Sequence, residues 1–307
     1  KIQIIWDLCH FGYPDGLIPT HPQFPARFMA LCRAFALFHN SYTGEPLLIV
    51  PINEISFLSW HSGEVRGTVP FAVNCGFDIK YHLCKAAIEG IMILKQTAPD
   101  VQILLVEPLV KIHPVGEEPV TEEILELNSH QFQAMDIIMG RLCPELGGSP
   151  FLGDMLGFNY YYNNQWEHKG RILPWPSEDT VLTPMYILLR DAYKRYNKPV
   201  ILTETGHFGD DRSLWMEEIT TECDKAISLG VDLRGLCIYP VIDRPDWDNL
   251  QSYSNCGIWD LDGDKNRIAH ETTRTTVKRC MDFMERRLKQ KTGNPVQDNL
   301  MGQPIPE

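Results

Sequence analysis

Short apolar runs alternate with longer segments of helical periodicity along this chain, and this alternation restricts its fold more than any other feature. Continuous apolar character over so few residues is typical of parallel strands that are buried on both faces. Strands that alternate with helices form a parallel sheet, so we predict an α/β fold. The predicted strands are residues 2–9, 47–54, 101–108, 155–162, 200–206 and 233–243.

Apolar residues at spacings of three and four predict a helix after each strand. The first helix begins near Thr20, and its predicted buried face is Phe24, Phe28, Leu31, Phe35 and Phe38. The second is capped by Asp78, and its predicted buried face is Ile79, Leu83, Ala87, Ile91 and Leu94. The others are predicted over residues 121–142, 184–196, 213–229 and 272–288. Residues 57–77 are predicted to form a long loop, which in a compact domain is usually functional.

The strand–helix units show no internal repeat and no linker, which predicts a single domain over residues 1–291 and a polar tail over residues 292–307. Two architectures accommodate six units. A closed (β/α)8 barrel needs eight, so two further units would lie upstream of Lys1. The alternative is an open, doubly wound sheet, although no G-x-G-x-x-G motif follows a predicted strand.

The composition argues against several classes of partner. The 307 residues carry a net charge of −12, which opposes binding to nucleic acid or to an anionic membrane surface. No apolar run approaches the roughly 20 residues that a membrane-spanning helix needs. The nine cysteines include no C-x-x-C pair, and the segments around Cys32 and Cys237 are apolar. We therefore expect reduced, mostly buried thiols and a cytoplasmic location.

No cluster of histidine and cysteine has the spacing of a zinc site, so we predict neither a metal nor a cofactor. The segment DLDGDKN, residues 260–266, is superficially similar to a calcium-binding loop. It lacks the ligand order of an EF-hand, and we interpret it as a tight turn.

Two glutamates stand where predicted strands end. Glu54 closes the apolar run in LLIVPINEIS, and Glu204 closes the run in VILTETG. In barrels of alternating strands and helices, the carboxyl ends of the strands carry the chemistry. Two carboxylates at such ends are the catalytic groups that hydrolysis of a glycoside requires. The other interpretation is that each glutamate is a structural ion-pair partner at the rim of the sheet.

The motifs WDLCHFGYP, PINEIS, GFNYYY, LTETG and YPVID occur in an order that resembles the family 1 glycoside hydrolases. These are retaining β-glycosidases on a (β/α)8 TIM barrel, with catalytic glutamates on strands four and seven. The resemblance covers roughly residues 1–270 and implies that the visible strands are the third to the eighth. The family usually has T-x-N-E-P and T-E-N-G where this chain has P-I-N-E-I and T-E-T-G, so sugar specificity does not transfer.

The resemblance implies that Glu54 is the general acid/base and Glu204 the nucleophile of a retaining hydrolase acting on a carbohydrate substrate. Retention requires the two carboxyl groups to be about 5–5.5 Å apart. Asn53 would bind the sugar hydroxyl next to the reacting carbon, and Tyr161 would donate to Glu204, with the register among the three neighbouring tyrosines left open. The candidate substrate-binding residues are His10, Asn53, Asn159, Tyr161, Trp166, His207, Asp243 and Trp247.

Several of these candidates have a structural alternative. Trp166, Trp247 and Trp259 could stack against a sugar or could pack in the core. Glu107, at the end of another strand, could bind sugar or pair with a lysine or arginine. At the level of the whole chain, the alternatives to a hydrolase are a transglycosylase and a catalytically inactive sugar-binding barrel, and the oligomeric state is left open.

Overall fold

The computed structural model describes residues 2–173, 175–176, 182–247 and 249–293. Three separate sheets occur in this part of the chain: one of six strands and two of two strands each. The strands are β1 (Ile5–Asp7), β2 (Leu48–Val50), β3 (Gln102–Pro108), β4 (Lys111–His113), β5 (Met155–Asn159), β6 (Gln165–Glu167), β7 (Val200–Glu204), β8 (Leu233–Leu236), β9 (Trp259–Leu261) and β10 (Arg267–Ala269). Each of the six predicted runs therefore contains a strand of the structure. Each of these strands is shorter than its predicted run.

The six-stranded sheet has the order β1-β2-β3-β5-β7-β8, and all of its pairings are parallel. Neighbours in the sheet follow chain order without a reversal. A doubly wound sheet reverses its strand order at a switch point, whereas a (β/α)8 barrel does not. The predicted barrel fold is therefore confirmed over six strands, with β1 and β8 as the sheet edges, and the doubly wound alternative is wrong.

Helices follow the strands and cover one face of this sheet. They are α1 (Phe24–Tyr42), α2 (Ile55–Gly63), α3 (Gly76–Thr97), α4 (Glu122–Ser129), α5 (Gln133–Ile138), α6 (Met185–Tyr196), α7 (Arg212–Ser228) and α8 (Glu271–Gly293). The predicted loop over residues 57–77 is wrong in its first half, because α2 begins directly after Glu54. The helix predicted over residues 121–142 is divided into α4 and α5 by a 3₁₀ turn. Pro184 precedes α6 rather than occupying its first turn.

The core between the sheet and the helices contains all five residues predicted for α3, Ile79, Leu83, Ala87, Ile91 and Leu94. Asp78 lies in the first turn of α3, and Cys75 occupies the cap position instead.

The predicted face of α1 is partly wrong, because Leu31 is 48% exposed and Phe38 61% exposed. Small residues, Cys32 and Ala36, take their places in the buried stripe. The reason is the close approach of α3: a Cβ on Gly90 would lie 2.8 Å from Cε1 of Phe28 and 3.0 Å from Sγ of Cys32. Gly90 leaves room for Phe28 and Cys32 at this crossing.

The opposite, inner face of the sheet carries a second apolar cluster of Val50, Leu104, Val106 and Ile201. It is packed tightly around Gly157, where a Cβ would lie 2.7 Å from Cγ2 of Val106. Any larger residue at this position would push β3, β5 and β7 apart. This inner cluster supports the strand ends described in the next section.

The segment predicted as a tight turn over residues 260–266 connects β9 and β10 in an antiparallel hairpin. The carboxylate of Asp262 closes it by accepting hydrogen bonds from the backbone N–H groups of Asp264 and Asn266, at 2.9 and 2.8 Å. The turn prediction is confirmed. Of the predicted tail over residues 292–307, α8 includes the first two, and residues 294–307 lie outside the described residues.

All nine cysteines are unpaired thiols, and five of them are buried. Cys32 is fully buried as expected, but Cys237 is exposed, because β8 ends at Leu236 and the chain has left the helix layer. Among the described helices, none is both long enough and apolar enough to cross a bilayer.

Candidate functional site

Glu54 lies at the junction between strand and helix that follows β2. The chain turns there in the left-handed conformation, with φ +48° and ψ 58°, and α2 begins at the next residue. The backbone N–H of Glu54 donates to the carbonyl of Val106 at 3.1 Å. Left-handed backbone at a residue other than glycine costs on the order of 1–3 kcal/mol, and it persists only where the surroundings hold it. The Glu54 side chain is buried.

Asn159, the last residue of β5, connects the two glutamates. Its Nδ2 donates to Oε1 of Glu54 at 2.9 Å, and its side chain also makes a hydrogen bond that stabilises the Glu204 carboxylate. The hydroxyl of Thr203 donates to Oδ1 of Asn159 at 2.6 Å, which orients the amide so that its N–H groups face the glutamates. A register shift after Phe158 places Asn159 opposite Glu204 in the sheet.

Tyr161 is the tyrosine that reaches Glu204, since its hydroxyl donates to Oε2 at 2.8 Å. The neighbouring tyrosines have other contacts. The hydroxyl of Tyr160 accepts from Nε2 of Gln165 at 2.7 Å, and the ring of Tyr162 packs on His207 at 4.3 Å. The register that the sequence left open is thereby resolved.

His10 follows β1 and pairs with a carboxylate beside the two glutamates. Its Nδ1 pairs with Oδ2 of Asp7 at 2.7 Å. The hydrogen bond to Asp7 raises the pKa of His10, and the charges of Glu204 and Glu54 act in the same direction. Asp7 and the two glutamates therefore favour the protonated form of His10.

Burial, followed by the charge of Glu204, raises the pKa of Glu54 to about 8. Burial also raises the pKa of Glu204, but the hydrogen bond from Tyr161 and the charge of His10 oppose this shift. At neutral pH the site therefore holds a protonated Glu54 beside a Glu204 whose donors favour the carboxylate. An acid and a carboxylate in one site can donate a proton and attack an electrophilic carbon.

Asn53 lies between Cys9 and Glu54 and is 3% exposed. Its backbone N–H donates to the carbonyl of Cys9 at 3.0 Å, while its side-chain Nδ2 has no hydrogen-bond partner among the described residues. A buried donor without a partner is uncommon in a folded protein, and a bound ligand is one explanation for it.

Three of the candidate residues make contacts with elements other than the two glutamates. Trp166 belongs to β6, in a small sheet where it pairs with Ile112 of β4. His207 is buried among aromatic rings, and those nearest to it belong to Tyr162, Trp175, Phe208 and Trp215.

The third, Asp243, fastens a loop: its carboxylate accepts from the backbone N–H groups of Asn255 and Cys256, at 3.2 and 3.1 Å. The contacts of all three are with other strands, rings and loops, and their place in the site stays a prediction.

Trp247 is 59% exposed and reaches the site through another aromatic ring. Its ring lies 6.0 Å from that of Phe11, which in turn lies 4.6 Å from the His10 ring. The guanidinium of Arg244 covers the Trp247 ring at 5.5 Å. Trp259 belongs to β9, and its carbonyl accepts from the backbone of Asp243. Trp247 is therefore a rim residue, whereas Trp259 supports the loop.

Sequence reasoning missed Asp7, Thr203 and Phe11. Asp7 stands three residues before His10, and Thr203 directly precedes Glu204, so nearness along the chain was an available signal for both. Phe11 directly follows His10, so the same signal was available, but its contact with Trp247 joins segments more than 200 residues apart and left no trace in the sequence.

No protein-family profile matches this sequence, and no curated protein sequence matches it. Its structure is similar to solved glycosidase structures. A family 1 β-glucosidase from Thermotoga maritima matches with a TM-score of 0.66 at 17% identity, over 86% of this chain and 69% of that one. A β-glycosidase from Pyrococcus horikoshii matches with a TM-score of 0.71 at 17% identity, over 95% of this chain and 74% of that one.

The β-glycosidase from Thermosphaera aggregans matches with a TM-score of 0.70 at 16% identity, over 87% of this chain and 63% of that one. The T. maritima β-glucosidase has also been solved in complex with deoxynojirimycin, and that structure matches with a TM-score of 0.68. The chain therefore has the fold of the family 1 β-glycosidases, which are (β/α)8-barrel enzymes.

Proposed function

We propose that this chain catalyses the hydrolysis of a β-linked glycoside with retention of configuration, with Glu54 as acid/base and Glu204 as nucleophile. One observation carries the proposal. The buried Glu54 and the half-buried Glu204 share the amide of Asn159; burial raises the pKa of Glu54 to about 8, whereas the hydrogen bond from Tyr161 and the charge of His10 oppose the rise in the pKa of Glu204. Such divergence between paired carboxyl groups is typical of an acid and a nucleophile. The fold supports the same assignment.

The proposed reaction has two steps. In the first, the Glu204 carboxylate attacks the anomeric carbon while Glu54 gives its proton to the departing glycosidic oxygen. The products are an alcohol and a glycosyl ester of Glu204. In the second step, Glu54, now a carboxylate, takes a proton from a water molecule that attacks the anomeric carbon and releases the sugar. Both glutamates return to their starting states.

Other residues have supporting roles in this proposal. Tyr161 keeps Glu204 ionised through its hydrogen bond, and His10 does so through its charge. The unpartnered Nδ2 of Asn53 would donate to a sugar hydroxyl. A retaining mechanism further predicts that the two carboxyl groups approach to about 5–5.5 Å with substrate bound. Trp247 and Phe11 would contact the part of the substrate that extends beyond the reacting sugar.

The experiment is azide rescue of two alanine variants on an activated aryl β-glycoside. Glu204→Ala removes the nucleophile, so we expect nearly complete loss of turnover. Azide should then restore turnover and give a glycosyl azide of inverted configuration, because the small anion attacks from the vacated side. Glu126→Ala, an exposed glutamate on α4, is the matched control and should respond to azide no differently from the unmutated chain.

Glu54→Ala should behave differently, since an activated aryl leaving group needs little protonation. The glycosyl ester should accumulate, because the second step has lost its base, and azide should give a product of retained configuration. Rescue products of the opposite stereochemistry would show that the two roles are reversed. If the unmutated chain turns over no aryl glycoside but still binds sugar, it is a sugar-binding barrel.

The same assay separates hydrolysis from sugar transfer. With an added acceptor sugar, a hydrolase releases free sugar, whereas a transglycosylase forms a new glycoside from the same intermediate. We propose hydrolysis as the main outcome and a cytoplasmic location, which nine unpaired thiols support.

A further inference from the structure

Glu107 is a buried carboxyl group on the helix-covered side of the sheet. Side chains alternate along β3, so that Ile103 and Leu105 face the helices while Leu104 and Val106 face the inner cluster. Glu107 continues the outward-facing series and is 2% exposed. The cavity beside it is about 10 Å³, room for about one water molecule. A sugar cannot reach it, so one of the two interpretations made from the sequence is wrong.

The other interpretation, a direct ion pair with a lysine or an arginine, is also wrong for the described part of the chain. The nearest buried lysine is Lys80, whose Nζ donates to Oε1 of Gln133 at 2.8 Å. The two oxygens of Glu107 accept instead from the backbone N–H of Ser56, at 3.2 and 3.0 Å, and the backbone of Ile55 contributes a further hydrogen bond. These residues form the first turn of α2. The N–H groups of a first turn have no partner within the helix, and a carboxylate is favoured there.

The residue just before this turn is Glu54. Its left-handed backbone has no cap from its own side chain, and two successive residues of β3 hold it. The carbonyl of Val106 accepts from the N–H of Glu54, and the carboxyl of Glu107 accepts from the residues that follow. A strained conformation needs such outside support, and the strained residue here is the proposed acid/base.

We propose that Glu107 is a positioning residue that anchors the first turn of α2 and thereby holds the carboxyl group of Glu54 at its working position. The inference rests on the proposed function, which supplies the role of Glu54. It adds that a buried group on the far side of the sheet sets how well Glu54 donates its proton.

The charges around Glu107 and Glu54 determine how Glu107 affects proton donation by Glu54. Lys80 and Cys84 of α3 face Glu107, and Glu54 lies beyond the turn. The charged or titratable groups that act on Glu54 are Glu204, Glu107, His10 and Tyr161. The charge of Glu107 raises the pKa of Glu54, after the larger effects of burial and Glu204. Loss of that charge should therefore make Glu54 a stronger acid that loses its proton at lower pH.

The test compares Glu107→Gln and Glu107→Ala on two aryl β-glycosides, one with a dinitrophenyl and one with a phenyl leaving group. Glu107→Gln keeps an acceptor oxygen and removes the charge. We expect the alkaline limb of kcat/KM to move to lower pH by roughly 0.5–1 unit. Glu107→Ala also removes the anchor. Its kcat/KM on the phenyl glycoside should fall on the order of 10- to 100-fold, because misplacement of an acid weakens proton donation.

On the dinitrophenyl glycoside, which needs little protonation, the loss in Glu107→Ala should be less than about threefold. The matched control is Asp154→Asn. Asp154 accepts from the backbone N–H of Ile103 at 2.8 Å, which lies at the opposite end of β3. This control should lower the unfolding temperature without changing the alkaline limb or the ratio between the two substrates.

Equal losses on both substrates with an unmoved alkaline limb would overturn the proposal and leave Glu107 a merely structural residue. If Glu107→Ala does not fold, Glu107→Asp, which keeps the charge but shortens the side chain, replaces it and should show the same unequal loss on the two substrates. If the unmutated chain hydrolyses no glycoside, the proposed function has failed, and the anchor is tested separately. Carbon-13 NMR of labelled glutamate carboxyls, assigned with Glu54→Gln, should still show a lower titration midpoint for Glu54 in Glu107→Gln. An unchanged midpoint would overturn the proposal there too.

Discussion

At the scale of single residues, the charge of Glu204 depends on a neighbouring hydroxyl. The hydrogen bond from Tyr161 lowers the pKa of Glu204 against the effect of burial. In Tyr161→Phe this opposing effect is lost, so Glu204, the proposed nucleophile, takes up a proton at higher pH. We expect the acidic limb of the pH–rate profile to move to higher pH by roughly 0.5–1 unit. Turnover at the optimum should fall roughly 10-fold or more.

The control for this prediction is Tyr162→Phe, because Tyr162 contacts His207 through its ring and keeps that contact as phenylalanine. The measurement is kcat/KM on an aryl β-glycoside over a series of pH values. An acidic limb that stays in place in Tyr161→Phe would mean that the hydroxyl does not control the ionisation of Glu204.

The raised pKa of Glu54 also affects stability. The pKa of Glu54 is about 8 in the folded chain, whereas the ordinary value of 4.5 applies in the unfolded chain. Between these two pH values the folded chain holds a proton that the unfolded chain releases. The stability that Glu54 contributes is complete below about pH 4.5 and is lost as the pH rises through about 8. Glutamine does not titrate. Glu54→Gln should therefore gain stability over the unmutated chain as the pH rises, by on the order of a few kcal/mol.

Urea unfolding of both chains at pH 5, 7 and 9 measures this difference directly. Only the change in the difference with pH is diagnostic, because groups common to both chains cancel. A constant difference across the three values would show that Glu54 titrates normally in the folded state.

At the scale of elements, the loop that carries Trp247 is closed by Asp243. Asp243→Ala leaves the backbone N–H groups of Asn255 and Cys256 without their acceptor. Hydrogen–deuterium exchange of the loop, residues 243–256, should become at least roughly 10-fold faster, because local opening costs less free energy. Asp264→Ala, in the turn between β9 and β10, serves as the control and should leave this loop unchanged.

The same experiment distinguishes the two roles considered for Asp243. A residue that binds substrate directly would change KM while exchange in the loop stayed as it was. In Asp243→Ala we expect faster exchange in this loop. Any change in KM should arise because Trp247 is displaced.

The strands and most helices could be predicted because their signals are local. The apolar runs ending at Glu54 and Glu204 are visible within ten residues, and the stripe of α3 is visible within one helix. The helix α2 could not be predicted in this way. Its first turn is completed by Glu107, 51 residues away from Ser56, and its own residues show no one-sided pattern. The buried stripe of α1 differs from the prediction for the related reason that the packing of α1 against Gly90 of another helix decides which of its residues are buried.

The same difference between local signals and contacts of distant segments applies to the residues of the candidate site. Glu54, Glu204, Asn159 and Tyr161 come together because parallel strands end at one edge of a sheet, which the strand pattern already implies. The positions of His207 and Asp243 follow from the paths of long loops, whose contacts join distant segments. Such contacts leave no periodic trace in a sequence.

At the scale of the whole molecule, Arg212 joins the C-terminal hairpin to the helix layer. This guanidinium at the start of α7 is 4% exposed and donates to the carbonyls of Gly209 and Gly257, at 2.6 and 2.7 Å, and to Asp260 at 2.7 Å. Removing one partner of a buried ion pair leaves the others without compensation. Arg212→Ala should therefore lower the free energy of unfolding by about 3–5 kcal/mol.

Arg274→Ala is the comparison, because Arg274 forms an exposed pair with Glu271 on α8. That pair should contribute less than about 1 kcal/mol. Both variants are measured by chemical unfolding followed by far-UV circular dichroism. A loss in Arg212→Ala no larger than that in Arg274→Ala would mean that the hairpin is not coupled to the fold of the sheet.

The hydrogen bond from Thr203 to Asn159 has a consequence for how this chain can vary over evolutionary time. Thr203→Val would leave Oδ1 of Asn159 without its donor, and the amide could then turn its oxygen towards Glu54. We therefore expect these two positions, 44 residues apart, to change together during evolution. Lineages that keep the asparagine should keep a hydroxyl at position 203, while the rim at Trp247 remains free to diverge with each new substrate.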